Sequence, residues 1–186
     1  MLAPLHADAI IAIRSAVGLV FLGAAAGKLR HLSILPGVVA NYRLLPPVLV
    51  PPVAYLLPAV EVMVGAALLA GAGSPAAEIC AVSLLLMFAS AMSVNLLRGR
   101  RHVDCGCFQG ALRQPLRWPL VARNGVMAVL LGAAAGPVAA DPWTRFNGLM
   151  AGLALFLAVQ CLNALWAIGP AMPRPAVRPQ APLEGM

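Results

Sequence analysis

The sequence AAEICAVSLLLMFASAMSVNLL, residues 76–97, decides the fold, because it is a continuous run of 22 mostly apolar residues. A helix needs about 20 such residues to cross the hydrocarbon core of a bilayer. Further stretches of the chain have the same character. The predicted spans are Ala9–Gly27, Val48–Ala72, Ala76–Leu97, Trp118–Gly136 and Phe146–Ile168. The sequence therefore predicts an all-α, polytopic membrane bundle with about five transmembrane helices.

The overall composition predicts the same fold class. Of the 186 residues, 61% are hydrophobic and 10% are charged, and the mean hydropathy is +0.88. A soluble domain is about half apolar and about a quarter charged, so this composition excludes a water-soluble fold of this size. The length predicts one transmembrane domain over residues 1–168. Residues 169–186 form a proline-rich tail that we expect to be disordered.

Positive charge is concentrated in particular loops. The net charge is +7, but the basic residues stand between apolar runs, which indicates contact with lipid rather than with nucleic acid. With five spans, the first loop, the third loop and the C-terminal tail share one side of the membrane. That side holds Lys28, Arg30, Arg43, Arg98, Arg100, Arg101, Arg113, Arg117, Arg174 and Arg178, whereas the other side holds Arg145. The positive-inside rule then places the third loop at the cytoplasmic face of a bacterial inner membrane.

The third loop contains the residues best suited to chemistry. Cys105 and Cys107 are separated by Gly106, a spacing that allows the two Cα atoms to lie within disulfide range. A disulfide in so small a ring would be strained and therefore labile, and the surrounding arginines favour the reactive thiolate. Asp104 opposes that electrostatic effect and could also accept a proton. Two alternatives stay open: a metal site that adds His102 and Asp104, although the cysteine spacing fits it poorly, and cysteines without chemistry.

Cys161 lies in the fifth predicted span, about 10 Å below the surface that carries the thiol loop, at 1.5 Å per residue. It could approach the thiol pair if the loop dips into the bundle, and otherwise it would pack in the apolar helix. Cys80 should lie near the opposite face, and no role is predicted for it.

Charged residues inside a membrane are costly and are therefore candidates for function. Arg14 and Glu61 lie in adjacent predicted spans at similar estimated depths, which favours an ion pair between the first two spans over a proton relay. Arg123 and Asn124 open the fourth predicted span beside the thiol loop, where they could bind a headgroup or hold the loop. Lys28 is interpreted as an anchor at the membrane surface.

Motifs along the chain resemble those of the methylamine utilisation protein MauE family, within the broader group of DoxX-like membrane proteins. The resemblance covers about residues 10–136 and rests, in order, on Arg14, Gly23-x-x-x-Gly27-Lys28, Tyr42-Arg43-Leu44-Leu45-Pro46, Glu61 and Asp104-Cys105-Gly106-Cys107-Phe108. It implies a DoxX-like core of four helices with one more helix added. The Asp-Cys-Gly-Cys-Phe element is the most specific of these motifs.

The resemblance implies a role in maturing methylamine dehydrogenase, a periplasmic enzyme whose small subunit contains many disulfides. The implied partner is a thioredoxin-like protein of the MauD type, with which MauE proteins would process, export or form disulfides in that subunit. From the thiol pair itself we expect Cys105 and Cys107 to cycle between dithiol and disulfide through a mixed disulfide with such a partner. Periplasmic disulfides and a cytoplasmic thiol loop are in tension. Either the protein relays reducing equivalents across the membrane, or the loop arginines serve function rather than topology.

Two other classes of function remain open at this stage. In the first, the protein is a non-catalytic assembly or export factor whose loop docks a partner. In the second, it is a quinone-linked oxidoreductase with a quinone as a possible cofactor, which the DoxX-like resemblance and the intramembrane residues Arg14, Glu61 and Arg123 suggest.

Overall fold

The computed structural model describes residues 3–71, 75–100, 103 and 116–168. Cys105, Cys107 and Asp104, the predicted catalytic residues, therefore lie outside the described residues, as does the predicted tail over residues 169–186. The helices are α1 (Ala3–Arg30), α2 (Leu35–Asn41), α3 (Val50–Leu69), α4 (Pro75–Leu97), α5 (Trp118–Ala133) and α6 (Pro142–Ile168). A short 3₁₀ turn, Pro47–Leu49, precedes α3.

The predicted all-α membrane bundle is confirmed. Four helices, α1, α3, α4 and α6, are long and apolar enough to cross a bilayer. The fourth predicted span is shorter than expected, because α5 ends at Ala133 rather than at Gly136 and has 16 residues. At 1.5 Å per residue α5 is about 24 Å long, less than the hydrocarbon core of about 30 Å.

Helix α1 is at the centre of the packing, between α3 and α6, and α4 packs against α5. Glycines allow the close approaches. A Cβ atom on Gly65 of α3 would lie 2.8 Å from the carbonyl oxygen of Gly18 in α1, and one on Gly152 of α6 would lie 2.5 Å from Cβ of Ser15. Small residues of this kind let helix backbones pack closely in lipid, where no hydrophobic force drives helices together.

The inner faces of α1, α3, α4 and α5 enclose one apolar cluster that includes Phe21, Leu68, Leu85 and Leu131. The outward faces carry exposed apolar side chains, such as Met63, Val129 and Leu165. Apolar side chains therefore lie both inside the bundle and on its outer surface, as expected for helices that are surrounded by lipid. Helix α6 lies at the periphery of the bundle, because α1 is its main packing partner.

Candidate functional site

The two described residues that flank the thiol loop are joined to each other. The backbone N–H of Leu116 donates to the carbonyl oxygen of Val103 over 3.2 Å. Both side chains are buried, and they pack with Met92 and Leu96 of α4 and with Leu120 of α5. Val103 and Leu116, which precede and follow residues 104–115 in the sequence, are therefore joined where α4 ends and α5 begins.

Asn95 and Arg100 hold the chain just before this point. Asn95 is fully buried, and its side-chain amide donates to the carbonyl oxygen of Ala91 over 3.1 Å. Its own side-chain oxygen accepts a hydrogen bond of 3.3 Å from Nη1 of Arg100, whose backbone N–H binds the Asn95 carbonyl at 2.9 Å. A buried polar group with its partners in place fixes local geometry, so the first residues after α4 are held against the bundle.

A cavity of about 250 Å³ lies at the same end of the bundle, between α1, α2, α3, α4 and the start of α5. Most of its wall is apolar. Tyr42, Phe88 and Met92 belong both to this wall and to the apolar cluster around Val103 and Leu116. The cavity and the attachment point of the thiol loop therefore share a wall.

Lys28 and Glu61 form a buried ion pair in the cavity wall. Nζ of Lys28 lies 2.6 Å and 2.9 Å from the two carboxylate oxygens of Glu61, and 5.4 Å from the ring centre of Phe88. Lys28 is 5% exposed and Glu61 is fully buried, so the interpretation of Lys28 as a surface anchor is wrong. Side chains on a helix lean towards its N-terminus. In antiparallel α1 and α3 the two side chains therefore lean towards each other.

Arg123 and Asn124 also lie in the cavity wall. Nη2 of Arg123 donates to the side-chain oxygen of Asn124 over 3.3 Å. Nε of Arg123 is buried and finds no hydrogen-bond acceptor among the residues that the structure describes. A buried donor of this kind is costly to leave unpaired. The sequence placed both residues beside the thiol loop, and the structure adds that they face a cavity.

Arg14 belongs to the opposite end of the bundle, and the predicted ion pair with Glu61 is wrong. Nη2 of Arg14 lies 2.6 Å from Oε1 of Glu78 in α4 and donates to the carbonyl oxygens of Ala134, at 2.9 Å, and Gly136. Oε2 of Glu78 in turn accepts the backbone N–H of Gly136 over 3.2 Å. The helices α1 and α3 cross where Gly18 meets Gly65, and Arg14 and Glu61 lie on opposite sides of this contact. The sequence-based estimate gave them similar depths because it counted residues from misplaced helix ends.

Sequence reasoning missed Glu78, although an acidic residue inside an apolar run was a sufficient signal. Its partner, Arg14, donates to the carbonyl groups of Ala134 and Gly136, which directly follow the short helix α5. Nη2 of Arg14 is thus engaged by backbone groups and by Glu78, whereas its buried Nε finds no acceptor among the residues that the structure describes. Arg14 does not lie in the cavity wall.

Cys161 and Cys80 are exposed free thiols. Cys161 lies on α6, and neither cysteine lies in the wall of the cavity. The structure does not bring Cys161 together with Lys28, Glu61 or Arg123. Within the described ranges no cluster of three or more histidine, cysteine or acidic side chains could hold a metal ion. The alternative metal site at His102 and Asp104 lies outside those ranges.

These features define a class of protein: a polytopic helical membrane protein with an apolar cavity at the end of the bundle where Val103 and Leu116 are joined. The family model for "Methylamine utilisation protein MauE" matches residues 7–139. The chain belongs to the MauE family. This confirms the resemblance found in the sequence, and it leaves α6 and Cys161 outside the matched region.

Relatives in several bacteria agree with this assignment. The protein named "Methylamine utilization protein MauE" of Paracoccus denitrificans is 41% identical over 163 residues, covering 84% of this chain and 88% of its own length. The protein of the same name in Paracoccus versutus is 43% identical and covers 78% of this chain and 81% of its own. The protein of that name in Methylorubrum extorquens is 36% identical over 117 residues, 63% of each chain. No solved structure matches.

Proposed function

We propose that the protein is a membrane component of methylamine utilisation that acts by thiol–disulfide exchange at Cys105 and Cys107. The names of its relatives support the pathway. The observation that supports the chemistry best is the anchored loop: Cys105 follows Val103 by two residues, and the bond between Val103 and Leu116 fixes both ends of the segment on the bundle. A reactive pair that must meet a partner protein gains from a base held in one place.

The proposed thiol–disulfide exchange takes place in two steps. A thiolate of the partner attacks one sulfur of the Cys105–Cys107 disulfide, which forms a mixed disulfide and releases the other cysteine as a thiolate. The second thiolate of the partner then attacks the mixed disulfide. The partner leaves as a disulfide, and Cys105 and Cys107 are left as two thiols. The partner's two electrons and two protons have moved to this protein.

A thioredoxin-like protein of the MauD type is the proposed partner, and the small subunit of methylamine dehydrogenase is the proposed final target. In this scheme Cys105 and Cys107 are the catalytic thiols and Asp104 is a neighbouring proton acceptor. Basic side chains at the loop end of the described bundle, such as Arg98 and Arg117, support a location of this loop at the cytoplasmic face of the inner membrane. Because the proposed target is periplasmic, this location requires that reducing equivalents cross the membrane between the target and the loop.

The test is replacement of the thiols in a methylotroph that lacks its own MauE protein. Cys105→Ser and Cys107→Ser should each abolish growth on methylamine while the protein still inserts into the membrane. Cys80→Ser, which removes an exposed thiol far along the chain from the loop, is the matched control and should grow normally. Full growth with both loop variants would reject the catalytic role.

A non-catalytic assembly factor is the second candidate, because an anchored loop also suits docking. Trapping of thiols in acid followed by alkylation separates the two. A docking protein shows neither an oxidised Cys105–Cys107 species nor a mixed disulfide with a thioredoxin-like protein, whereas the proposed mechanism requires both.

A further inference from the structure

The cavity at the Val103–Leu116 end of the bundle has an apolar wall that reaches the lipid-facing surface. Its volume is about 250 Å³, and Phe21 and Leu85 contribute to its wall. Met87 also lines the cavity and is 48% exposed on α4, a helix that is long and apolar enough to cross the bilayer. An apolar cavity of about 150 Å³ stays free of water and binds benzene. We therefore expect a hydrocarbon group from the lipid in this larger cavity.

The wall of the cavity carries an uncompensated positive charge. Lys28 and Glu61 compensate each other at 2.6 Å, whereas Arg123 contributes a second cation. With two cations and one carboxylate, the described residues of the wall have a net charge of +1. Nη2 of Arg123 donates to the neutral side-chain amide of Asn124 over 3.3 Å, which leaves this charge in place. A charge in apolar surroundings is costly without a counter-charge, so the cavity favours an occupant with one negative charge.

The unpaired donor of Arg123 indicates how the negative group would be bound. Nε of Arg123 is buried and finds no acceptor among the residues that the structure describes. Phosphate and carboxylate oxygens accept hydrogen bonds from a guanidinium group, and the opposite charges strengthen those bonds. An acidic oxygen beside Nε would therefore satisfy the donor and neutralise the wall in a single contact. An uncharged occupant would leave the positive charge, and a cationic occupant would add to it.

Arg123 lies at a depth that the head of a lipid can reach. Trp118, the first residue of α5, is 50% exposed, and tryptophan is enriched at the boundary between bilayer and water. Arg123 follows five residues later, about 7.5 Å along the helix axis. Its side chain leans towards the N-terminus of the helix, and hence towards that boundary. An acidic head can therefore meet Arg123 near the membrane surface while the acyl chain extends along the wall towards Leu85.

From these observations we propose that the cavity binds one anionic membrane lipid. Its phosphate or carboxylate group accepts a hydrogen bond from Arg123, and its acyl chain occupies the apolar part of the cavity. The described residues that form this site lie outside residues 104–115, so the proposal does not depend on the thiol chemistry.

A bound lipid would also support the attachment of the chain after α4. Phe88 and Met92 belong both to the cavity wall and to the apolar cluster around Val103 and Leu116. An acyl chain on one side of this shared wall fills space that would otherwise be empty, and a ligand that binds the folded state stabilises that state by mass action. The cluster therefore gains stability from an occupied cavity.

The experiment is photolabelling of the purified full chain in phosphatidylcholine nanodiscs. One sample contains a trace of phosphatidylglycerol with a diazirine group on its acyl chain, and a parallel sample contains a diazirine fatty acid. Labelled peptides are mapped by mass spectrometry. We expect at least one of the two probes to label the α1 and α4 segments that line the cavity. The phosphatidylglycerol probe would identify a phospholipid as the occupant, and the fatty-acid probe would identify a free fatty acid.

Competition tests the requirement for charge. The unlabelled form of the probe lipid should displace the probe, whereas oleyl alcohol and added phosphatidylcholine, which have no net charge, should not. Ala24→Phe, which places a ring in the cavity from α1, should lower the labelling at least about fivefold, because the ring takes the space of the acyl chain. Ala26→Phe, the same change at an exposed position of α1 outside the wall, should leave it unchanged.

A second pair of variants keeps the test valid if Ala24→Phe misfolds. Arg123→Gln should weaken competition by the anionic lipid about tenfold, the usual effect of losing a hydrogen bond from a charged donor, and should thereby remove its advantage over oleyl alcohol. Arg98→Gln, at an exposed arginine outside the wall, should leave that advantage unchanged. Labelling spread evenly over the lipid-facing helices, competition by oleyl alcohol as strong as by the anionic lipid in the wild type, or equal results within either pair would overturn the proposal.

Discussion

The two ends of this bundle use buried charge in different ways. At one end Arg14 and Glu78 bind each other and also the backbone groups of Ala134 and Gly136. At the other end Lys28 and Glu61 bind each other in the wall of a cavity. The comparison shows that the role of a buried ion pair depends on the groups around it. One pair completes a short helix, and the other borders an open space.

The length of α5 explains the first arrangement. Helix α5 ends at Ala133 after 16 residues, and the carbonyl groups of Ala134 and Gly136 in the turn that follows have no further helical turn to supply their donors. Arg14 supplies donors to those carbonyls, and Glu78 compensates its charge. The Arg14–Glu78 end is thus a structural device, and the Lys28–Glu61 end with the thiol loop is the candidate for function.

The largest expected effect is loss of Arg14. Arg14→Leu leaves Glu78 buried without its cation and leaves two carbonyls without a donor, which should cost about 3–5 kcal/mol of unfolding free energy. The measurement is unfolding in mixed micelles. The double variant Arg14→Leu/Glu78→Leu should recover little, because the helix end stays unsatisfied. Arg145→Leu, at an exposed arginine, serves as the control and should change the free energy by less than about 0.5 kcal/mol.

The Lys28–Glu61 pair should behave differently. Lys28→Met alone should destabilise the protein by roughly 3 kcal/mol, since it removes the cation that lies 2.6 Å from a fully buried carboxylate. The double variant Lys28→Met/Glu61→Met should return to within about 1 kcal/mol of the wild type, as apolar replacements of buried pairs often do. A double variant as unstable as the single one would show that this pair also holds backbone groups, and the contrast between the two ends would fail.

The helix crossing between the two ends gives a smaller effect. Gly65→Ala places a Cβ atom 2.8 Å from the Gly18 carbonyl oxygen and should destabilise by about 1–3 kcal/mol. Gly132→Ala is the matched control in α5, where no atom lies within 4 Å of the new Cβ. It should stabilise slightly, by up to about 1 kcal/mol, through helix propensity. Equal effects of the two changes would contradict the close α1–α3 contact.

The smallest effect concerns Asp141, which precedes α6 at the Arg14 end. Hydrogen bonds from the Thr144 hydroxyl, and then from the Thr144 and Trp143 backbone N–H groups, lower the pKa of Asp141 below 3.8. As the pH falls, the Asp141 carboxylate is therefore protonated in the unfolded chain before it is protonated in the folded protein. The contribution is fully present above pH 3.8 and is lost as the pH falls through the lower folded pKa. Asp141→Asn, which can keep the same hydrogen bonds but not the charge, should reduce the melting temperature slightly at pH 7 and by less at pH 3. An equal reduction of the melting temperature at both pH values would contradict a contribution from the ionised Asp141 carboxylate.

Much of the fold could be predicted from hydropathy alone, because an apolar run of sufficient length has few alternatives to a spanning helix. The partners of the buried charges could not. Pairing depends on helix depth, and an error of a few residues at each end was enough to match Arg14 with Glu61 instead of Glu78. The contacts of Gly18 and Gly65 depend on which faces meet, and α1 and α3 show little difference between their faces in sequence.

The candidate site divides in the same way. Cys105 and Cys107 could be chosen from their spacing and from the basic loop, and Arg123 and Asn124 from their place beside that loop. The cavity could not be predicted, since it arises where five segments fail to fill the space between them. The interpretation of Lys28 failed because a lysine near a helix end usually reaches the membrane surface, whereas here Glu61 is within reach.

The central claim is that Cys105 and Cys107 exchange between dithiol and disulfide. The most direct measurement is alkylation of acid-trapped membranes carrying Cys80→Ser/Cys161→Ser, so that the mass of the protein counts the free thiols of the loop alone. The mechanism predicts a mixture of species with two alkylated thiols and with none. It also predicts a mixed disulfide with a thioredoxin-like protein when Cys107→Ser is added. Two alkylated thiols in every molecule, in oxidising and reducing growth alike, would contradict the claim.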